Sequence, residues 1–232
     1  MIVFIVIFGC CLGSTVNVVA IRSIRGKNFI TGRSECPHCG HVLSYWDMIP
    51  ILSYIMLAGE CRYCRKTIAM RYLLTELWMG LVTVILHIRY ELFEFGILEV
   101  MAVLLFLLAL IDYEIMEVPG KLLVVYVLVC AVFLGYERYP VEEVMKSMLL
   151  NGSVSLFMWR LGGLGMADVI IITCEAAVAG FLEHTVKADM MCLLSAGIAV
   201  VYLLLSGKKR RDSVMPFIPF LCFGYTLYLM LG

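Results

Sequence analysis

Apolar runs close to twenty residues long recur from one end of this chain to the other. Eight are read, at about 2–21, 72–90, 97–113, 121–138, 144–161, 168–183, 188–206 and 215–231. A helix needs about 20 such residues to cross a hydrocarbon core of about 30 Å. Of the 232 residues, 62% are hydrophobic and 16% charged, against roughly 45–50% and 25% in soluble domains. Mean hydropathy is +0.97. A soluble globular fold has no use for such a pattern. A β-barrel would show segments of about ten residues with alternating polarity, and those are absent. The fold class expected is all-α: a polytopic membrane protein with about eight transmembrane helices and one small cytoplasmic loop domain. Several runs are short for a full crossing, and 144–161 is the weakest because it carries Lys146, Asn151 and Arg160.

Orientation follows from charge. The opening run, MIVFIVIFGCCLGSTVNVVAI, lacks the basic n-region of a signal peptide; its basic residues, Arg22, Arg25 and Lys27, come after it. That order predicts a retained helix with its N-terminus outside. Eight crossings then put 22–71, 114–120, 162–167 and 207–214 inside. Fourteen Lys and Arg fall on that side, against Arg89, Arg138, Lys146 and Lys187 outside. The run KKRR at 208–211 serves orientation and lipid headgroups. A formal net charge of zero gives no field that points to nucleic acid. No internal repeat is apparent along the chain.

Six of the ten cysteines, Cys10, Cys11, Cys130, Cys174, Cys192 and Cys222, lie in apolar runs and read as small hydrophobes. The other four sit in the polar loop, in CPHCGHVLSYWDMIPILSYIMLAGECRYCRK. Each C-x2-C lets two thiolates meet one metal from a tight turn. The pair of them, Cys36, Cys39, Cys61 and Cys64, makes the S4 set of structural zinc. A loop this small needs such a staple. Two disulfides and a redox pair are the alternatives, and a reducing cytoplasm disfavours disulfides. His38 and His41 are spare donors.

The chain has five aspartates, Asp47, Asp112, Asp168, Asp189 and Asp212. Asp112 ends the third run, in LLFLLALIDYEIMEVPGK, and Asp168 opens the sixth, in GLGMADVII. An ionised carboxylate at a helix centre costs about 2.5–3.5 kcal/mol on insertion scales. The topology moves both to the cytoplasmic edge, where the cost is smaller. Two carboxylates that come together share a proton, which suits hydrolysis of a peptide bond. Two other uses stay open on the residues alone: helix capping, with Asp168 as an N-cap, and a coupling-ion site in a transporter. Asn17 is expected to hydrogen-bond between helices, and Glu76 to pair with Arg71 or Arg22 or to contact a substrate amine.

From about Gly13 to Phe223 the residues resemble the bacterial type IV prepilin peptidases, the leader peptidases of the GxGD class of membrane aspartic proteases. The resemblance rests on GSTVNVVAIR, the cysteine loop with its Asp47, Ile49, Pro50 and Leu52-Ser53-Tyr54, RYLLTELWMG, LIDYEIMEVPG, GMADV and PFIPFLCFG. Ala167 stands where the family has glycine before the second aspartate, Ile170 where it has lysine, and Gly120 where it has an acid or amide. None of the three removes a carboxylate. The resemblance implies an endopeptidase of the bacterial inner membrane that removes the leader of type IV prepilins at the cytoplasmic face, with Asp112 and Asp168 catalytic. It implies structural zinc on the four cysteines, and N-methylation of the new terminus with S-adenosylmethionine, for which no pocket is read from the residues. The expected partners are prepilins and membrane lipid, with no nucleic acid. The expected division is a first helix at 1–21, the cysteine loop at 22–71 and a peptidase core at 72–232. The rival reading is a non-enzymatic scaffold of a pilus, competence or secretion system.

Overall fold

The computed structural model describes residues 1–26, 28, 32–136, 141–182, 198 and 216–231. Among them are eight α-helices: α1 (Ile2–Ile24), α2 (Leu52–Met56), α3 (Arg71–Arg89), α4 (Leu92–Ile115), α5 (Gly120–Tyr136), α6 (Val141–Arg160), α7 (Met166–Phe181) and α8 (Ile218–Leu231). Seven answer to expected spans, and α2 is a single turn or so inside the loop. Apart from residue 198, the expected run at 188–206 lies outside the described residues, as does 208–211. α1, α3 and α4 are long and apolar enough to cross a membrane; α5 and α8 contain shorter apolar helices. α7 has 16 residues, roughly 24 Å at 1.5 Å per residue, short of the about 30 Å core. α4 starts earlier than expected because Phe93, Glu94 and Phe95 continue its helix and only Tyr90 and Glu91 break from α3.

The chain divides into two compact units, Met1–Leu92 and Phe93–Gly232. In the first, α1 packs along α3. Small residues make this possible. A Cβ on Gly13 would lie 2.7 Å from the Thr75 carbonyl oxygen, and one on Gly80 would lie 2.7 Å from Cys10 Sγ. Gly9 and Gly13 form the GxxxG spacing that lets membrane helices approach backbone to backbone. Asn17 bonds across this interface to Thr75 Oγ1 and back to the Gly13 carbonyl at 3.1 Å, as expected of it.

Between α1 and α3 the loop folds into two matching knuckles, 34–43 and 59–68. In each, the first cysteine donates to a carbonyl five residues on: Cys36 to His41 and Cys61 to Lys66, both 2.9 Å. In each, that cysteine's carbonyl accepts from four residues on, Gly40 N and Arg65 N, again 2.9 Å. Antiparallel bridges Glu35–Val42 and Glu60–Thr67 close them. The loop thus holds a local repeat of ten residues. SECPHCGHVL and GECRYCRKTI share only Glu, Cys and Cys at matching places, too little to stand out in the sequence.

In the second unit α7 packs against α6, α5 and α8. The α6 crossing is close: a Cβ on Gly180 would lie 2.8 Å from Val144 Cα.

Candidate active site and metal centre

In the knuckles the sulfurs of Cys36, Cys39, Cys61 and Cys64 all lie within 4.8 Å of one another, and Cys36 Sγ is 3.9 Å from Cys64 Sγ. Ligands on one zinc at about 2.3 Å stand about 3.8 Å apart. The donor set fits a tetrahedral metal, and Cys36 and Cys61 close it from the inside, both buried. Burial pushes the Cys36 thiol up, but the backbone N–H groups of Cys39 and His38 and the Cys61 and Cys39 side chains outweigh it. The thiol is held at about 7, while at Cys64 burial and the other three cysteines outweigh the Lys66 amide and push the thiol up to about 11. The cluster thus shares its protons and begins to give them up near neutral pH.

Neither histidine joins the cluster. His41 instead lies on the Tyr63 ring across the two knuckles, with centroids 3.6 Å apart. Asp47 ties the loop together, a role its sequence gave no reason to expect. Its side chain is 2% exposed and accepts from Arg62 Nε at 2.7 Å, Tyr63 Oη at 3.2 Å, and Ser44 Oγ and N at 2.8 and 3.2 Å. Arg62 and Tyr63 stand between the two cysteines of the second knuckle. Burial alone raises the Asp47 carboxyl; the Ser44 and Arg62 hydrogen bonds override it and hold it below the usual carboxylate range.

Glu76, buried in α3, accepts the Ile51 N–H at 2.8 Å and a bond from Ser14. Ile51 has φ 63 and ψ −53, and Leu52 N reaches back to the Pro50 carbonyl at 2.6 Å. This is the rare, strained form of γ-turn, on a β-branched residue. Glu76 therefore anchors the loop to the helix. Arg22 donates to the carbonyls of Gly32 and Arg33 at 3.0 and 3.1 Å.

In the second unit Asp112 and Asp168 come from α4 and α7, and both are buried, 7% and 9% exposed. Asp168 is close enough to act electrostatically on Asp112. Each carboxylate is fixed through one oxygen by a backbone amide. Asp168 Oδ2 accepts the Gly165 N–H at 2.8 Å. It stands at the third position of α7 with Gly165 at the N-cap, not at the cap itself. Asp112 Oδ2 accepts the Ile218 N–H at 3.2 Å, and the Phe217 N–H also reaches it. These amides begin α8 and carry the positive end of its dipole. The PFIPFL stretch was the only trace of this contact in the sequence.

The glycines before Asp168 have separate uses. Gly162 takes φ +75, the left-handed region that favours glycine. Gly165 has ordinary angles, but a Cβ there would stand 3.2 Å from Asp168 Oδ2. A Cβ on Gly120, by contrast, would meet nothing within 4 Å.

Two family models match the chain, one on either side of the division between its units. The bacterial peptidase A24 N-terminal domain matches residues 7–90, with all four clustered cysteines. The type IV leader peptidase family matches residues 99–205, with both aspartates. The chain belongs to the type IV leader peptidase family. Among its curated relatives, the prepilin leader peptidase/N-methyltransferase of Myxococcus xanthus is 44% identical over 79 residues, 34% of this chain and 24% of that protein. Its namesake in Burkholderia pseudomallei is 55% identical over 53 residues, 23% of this chain and 17% of that protein. The one in Dichelobacter nodosus is 29% identical over 214 residues, 88% of this chain and 73% of that protein. The chain thus matches less than a quarter of the length of the first two and nearly three quarters of the third. No solved structure matches it.

Proposed function

We propose that this member of the family is a membrane aspartic endopeptidase that removes the leader of type IV prepilins and pilin-like proteins. The observation that carries this is the aspartate pair: two buried carboxylates 56 residues apart in sequence, within electrostatic reach and each fixed by a backbone amide. Like charges this near resist joint ionisation, so one carboxyl keeps a proton. The ionised partner takes a proton from a water as it attacks the scissile carbonyl. The protonated partner hydrogen-bonds the carbonyl oxygen, and that proton later passes to the leaving amine. The amides at Gly165 and at Phe217–Ile218 keep the carboxylates from turning away.

The reading extends to three finer points. The four thiolates hold a structural zinc, the ion that a closed S4 set favours, and it staples the two knuckles. N-methylation of the new terminus with S-adenosylmethionine rests on the names of the relatives. The orientation, with N-terminus outside and both the knuckles and the aspartates at the cytoplasmic face of a bacterial inner membrane, rests on the charge bias. Ala167 and Ile170 keep the scaffold reading in play.

One assay separates these readings: reconstitution with a pilin precursor and S-adenosylmethionine, and the mass of the product. A leader-sized loss is expected, then a methyl-sized gain. Asp112→Asn and Asp168→Asn are each expected to lower cleavage by about 10³-fold or more while keeping metal content and helicity. Unchanged mass with a pilin from the same source supports the scaffold, and normal cleavage by either variant refutes the pair.

A further inference from the structure

α7 carries a second acid, Glu175, seven residues beyond Asp168. Seven residues are two turns, about 10.5 Å along the helix and on nearly the same face. Ile171, fully buried, occupies that face between them, so an apolar side chain separates the two acids. Glu175 is 2% exposed. Among the described residues, neither of its carboxyl oxygens has a hydrogen-bond partner.

Among the described residues, its surroundings contain polar atoms but no cation. The Tyr126 hydroxyl of α5, fully buried and likewise without a partner, lies within electrostatic reach. So do Cys130 of α5, Cys174 of α7 itself, and Cys222 of α8. Tyr225 of α8 lies within electrostatic reach of Tyr126. The cations of α6 do not serve. Lys146 is exposed and paired with Glu142 and Glu143, and Arg160 is exposed at the end of the helix. Thiols and phenols cannot balance an ionised carboxylate, and a buried unpaired charge costs more than neutral hydrogen bonds return. Glu175 and these cysteines do not form a metal-holding group either; among the described residues only the knuckle cysteines do.

We infer that Glu175 is a proton-binding site inside the second unit, distinct from the aspartate pair, whose carboxyl stays protonated in the folded protein. A protonated carboxyl is both donor and acceptor. It can therefore serve the Tyr126 hydroxyl and join α5 to α7 without burying a charge.

Infrared difference spectra of the full chain in lipid vesicles test this. Wild type minus Glu175→Gln is expected to show the carbonyl stretch of a protonated carboxyl, unchanged from mildly acid to mildly alkaline buffer and on exchanging potassium for sodium. Glu175→Asp should move that band without abolishing it, and it provides the comparison if the glutamine variant does not fold. Prepilin cleavage by Glu175→Gln is expected to stay within twofold of wild type. A difference spectrum that shows the stretches of an ionised carboxylate instead overturns the inference. So does a band lost on adding sodium, which would make the ligand a metal cation.

Discussion

At the scale of single residues, Gly165 is the sharpest probe of the aspartate pair. Its φ and ψ, −79 and 158, are open to any residue. Alanine there brings no backbone strain, only a methyl 3.2 Å from Asp168 Oδ2. The carboxylate has to give by a few tenths of an ångström. A misplacement of 1 Å costs about 10²-fold, so Gly165→Ala is expected to lower kcat by about 10-fold with KM little changed, read in the prepilin assay with helicity as control. Asp47 governs the loop in the same way. Asp47→Asn keeps the shape but loses the ion pair to half-exposed Arg62, worth about 1 kcal/mol after solvent screening. The Asp47 carboxyl is held below its usual range. Its contribution is therefore complete above the ordinary value of about 3.9, and is lost as pH falls through the lower folded value. The difference in loop stability between metal-free wild type and variant, read by denaturant unfolding, should be constant above about pH 4 and vanish in stronger acid. A difference that grows with acid would contradict this. The aspartates and cysteines were legible in the sequence because so few polar residues interrupt an apolar chain, and because two C-x2-C pairs in one loop make the S4 set of a structural metal. Gly165's crowding, the α8 amides on Asp112 and the reach of Asp47 to Arg62 were not. Each depends on segments that meet only after folding, and no local pattern encodes them.

At the scale of elements, the two knuckles are the same device built with different residues. Both need a left-handed residue one place after the second cysteine. The first supplies Gly40 at φ +71 and the second supplies Arg65 at φ 58. A Cβ on Gly40 would meet nothing within 4 Å, so the backbone angle alone calls for glycine there. A side chain in this region costs about 1–2 kcal/mol, partly offset by the looser unfolded chain that glycine brings. Arg65→Gly is expected to slow metal loss to a chelator and Gly40→Ala to hasten it, each by about 3- to 10-fold for about 1 kcal/mol. Equal rates in all three proteins would show that the knuckle angles carry no strain. The helices were legible from hydropathy. Their ends were blurred because Glu94 and Glu114 are polar yet helical, and the repeat was hidden because its likeness lies in hydrogen bonds rather than in side chains.

At the scale of the whole molecule, orientation decides which compartment the knuckles and the aspartates meet. Arg22 closes the last turn of α1 and Arg71 opens α3, so basic residues flank both stems of the knuckle loop. Asp112 lies three residues from the end of α4 and Asp168 two residues after the start of α7. Both acids thus stand at helix ends, where water is nearest and a carboxylate is least costly. In the proposed orientation, which rests on the lysine and arginine bias, these ends face inside. Of the knuckle cysteines Cys39 is exposed and Cys36 and Cys61 are buried, and all four are proposed ligands, so a membrane-impermeant maleimide reaches them fully only when the metal is removed. In inverted vesicles, chelation is expected to raise labelling of the knuckle cysteines from little to all four. In right-side-out vesicles the same reagent should leave them untouched until detergent is added. Labelling from the outside would reverse the whole arrangement and put the proposed cleavage on the wrong side of the membrane. Labelling from the inside without chelation, at all four cysteines, would leave the orientation standing and remove the metal.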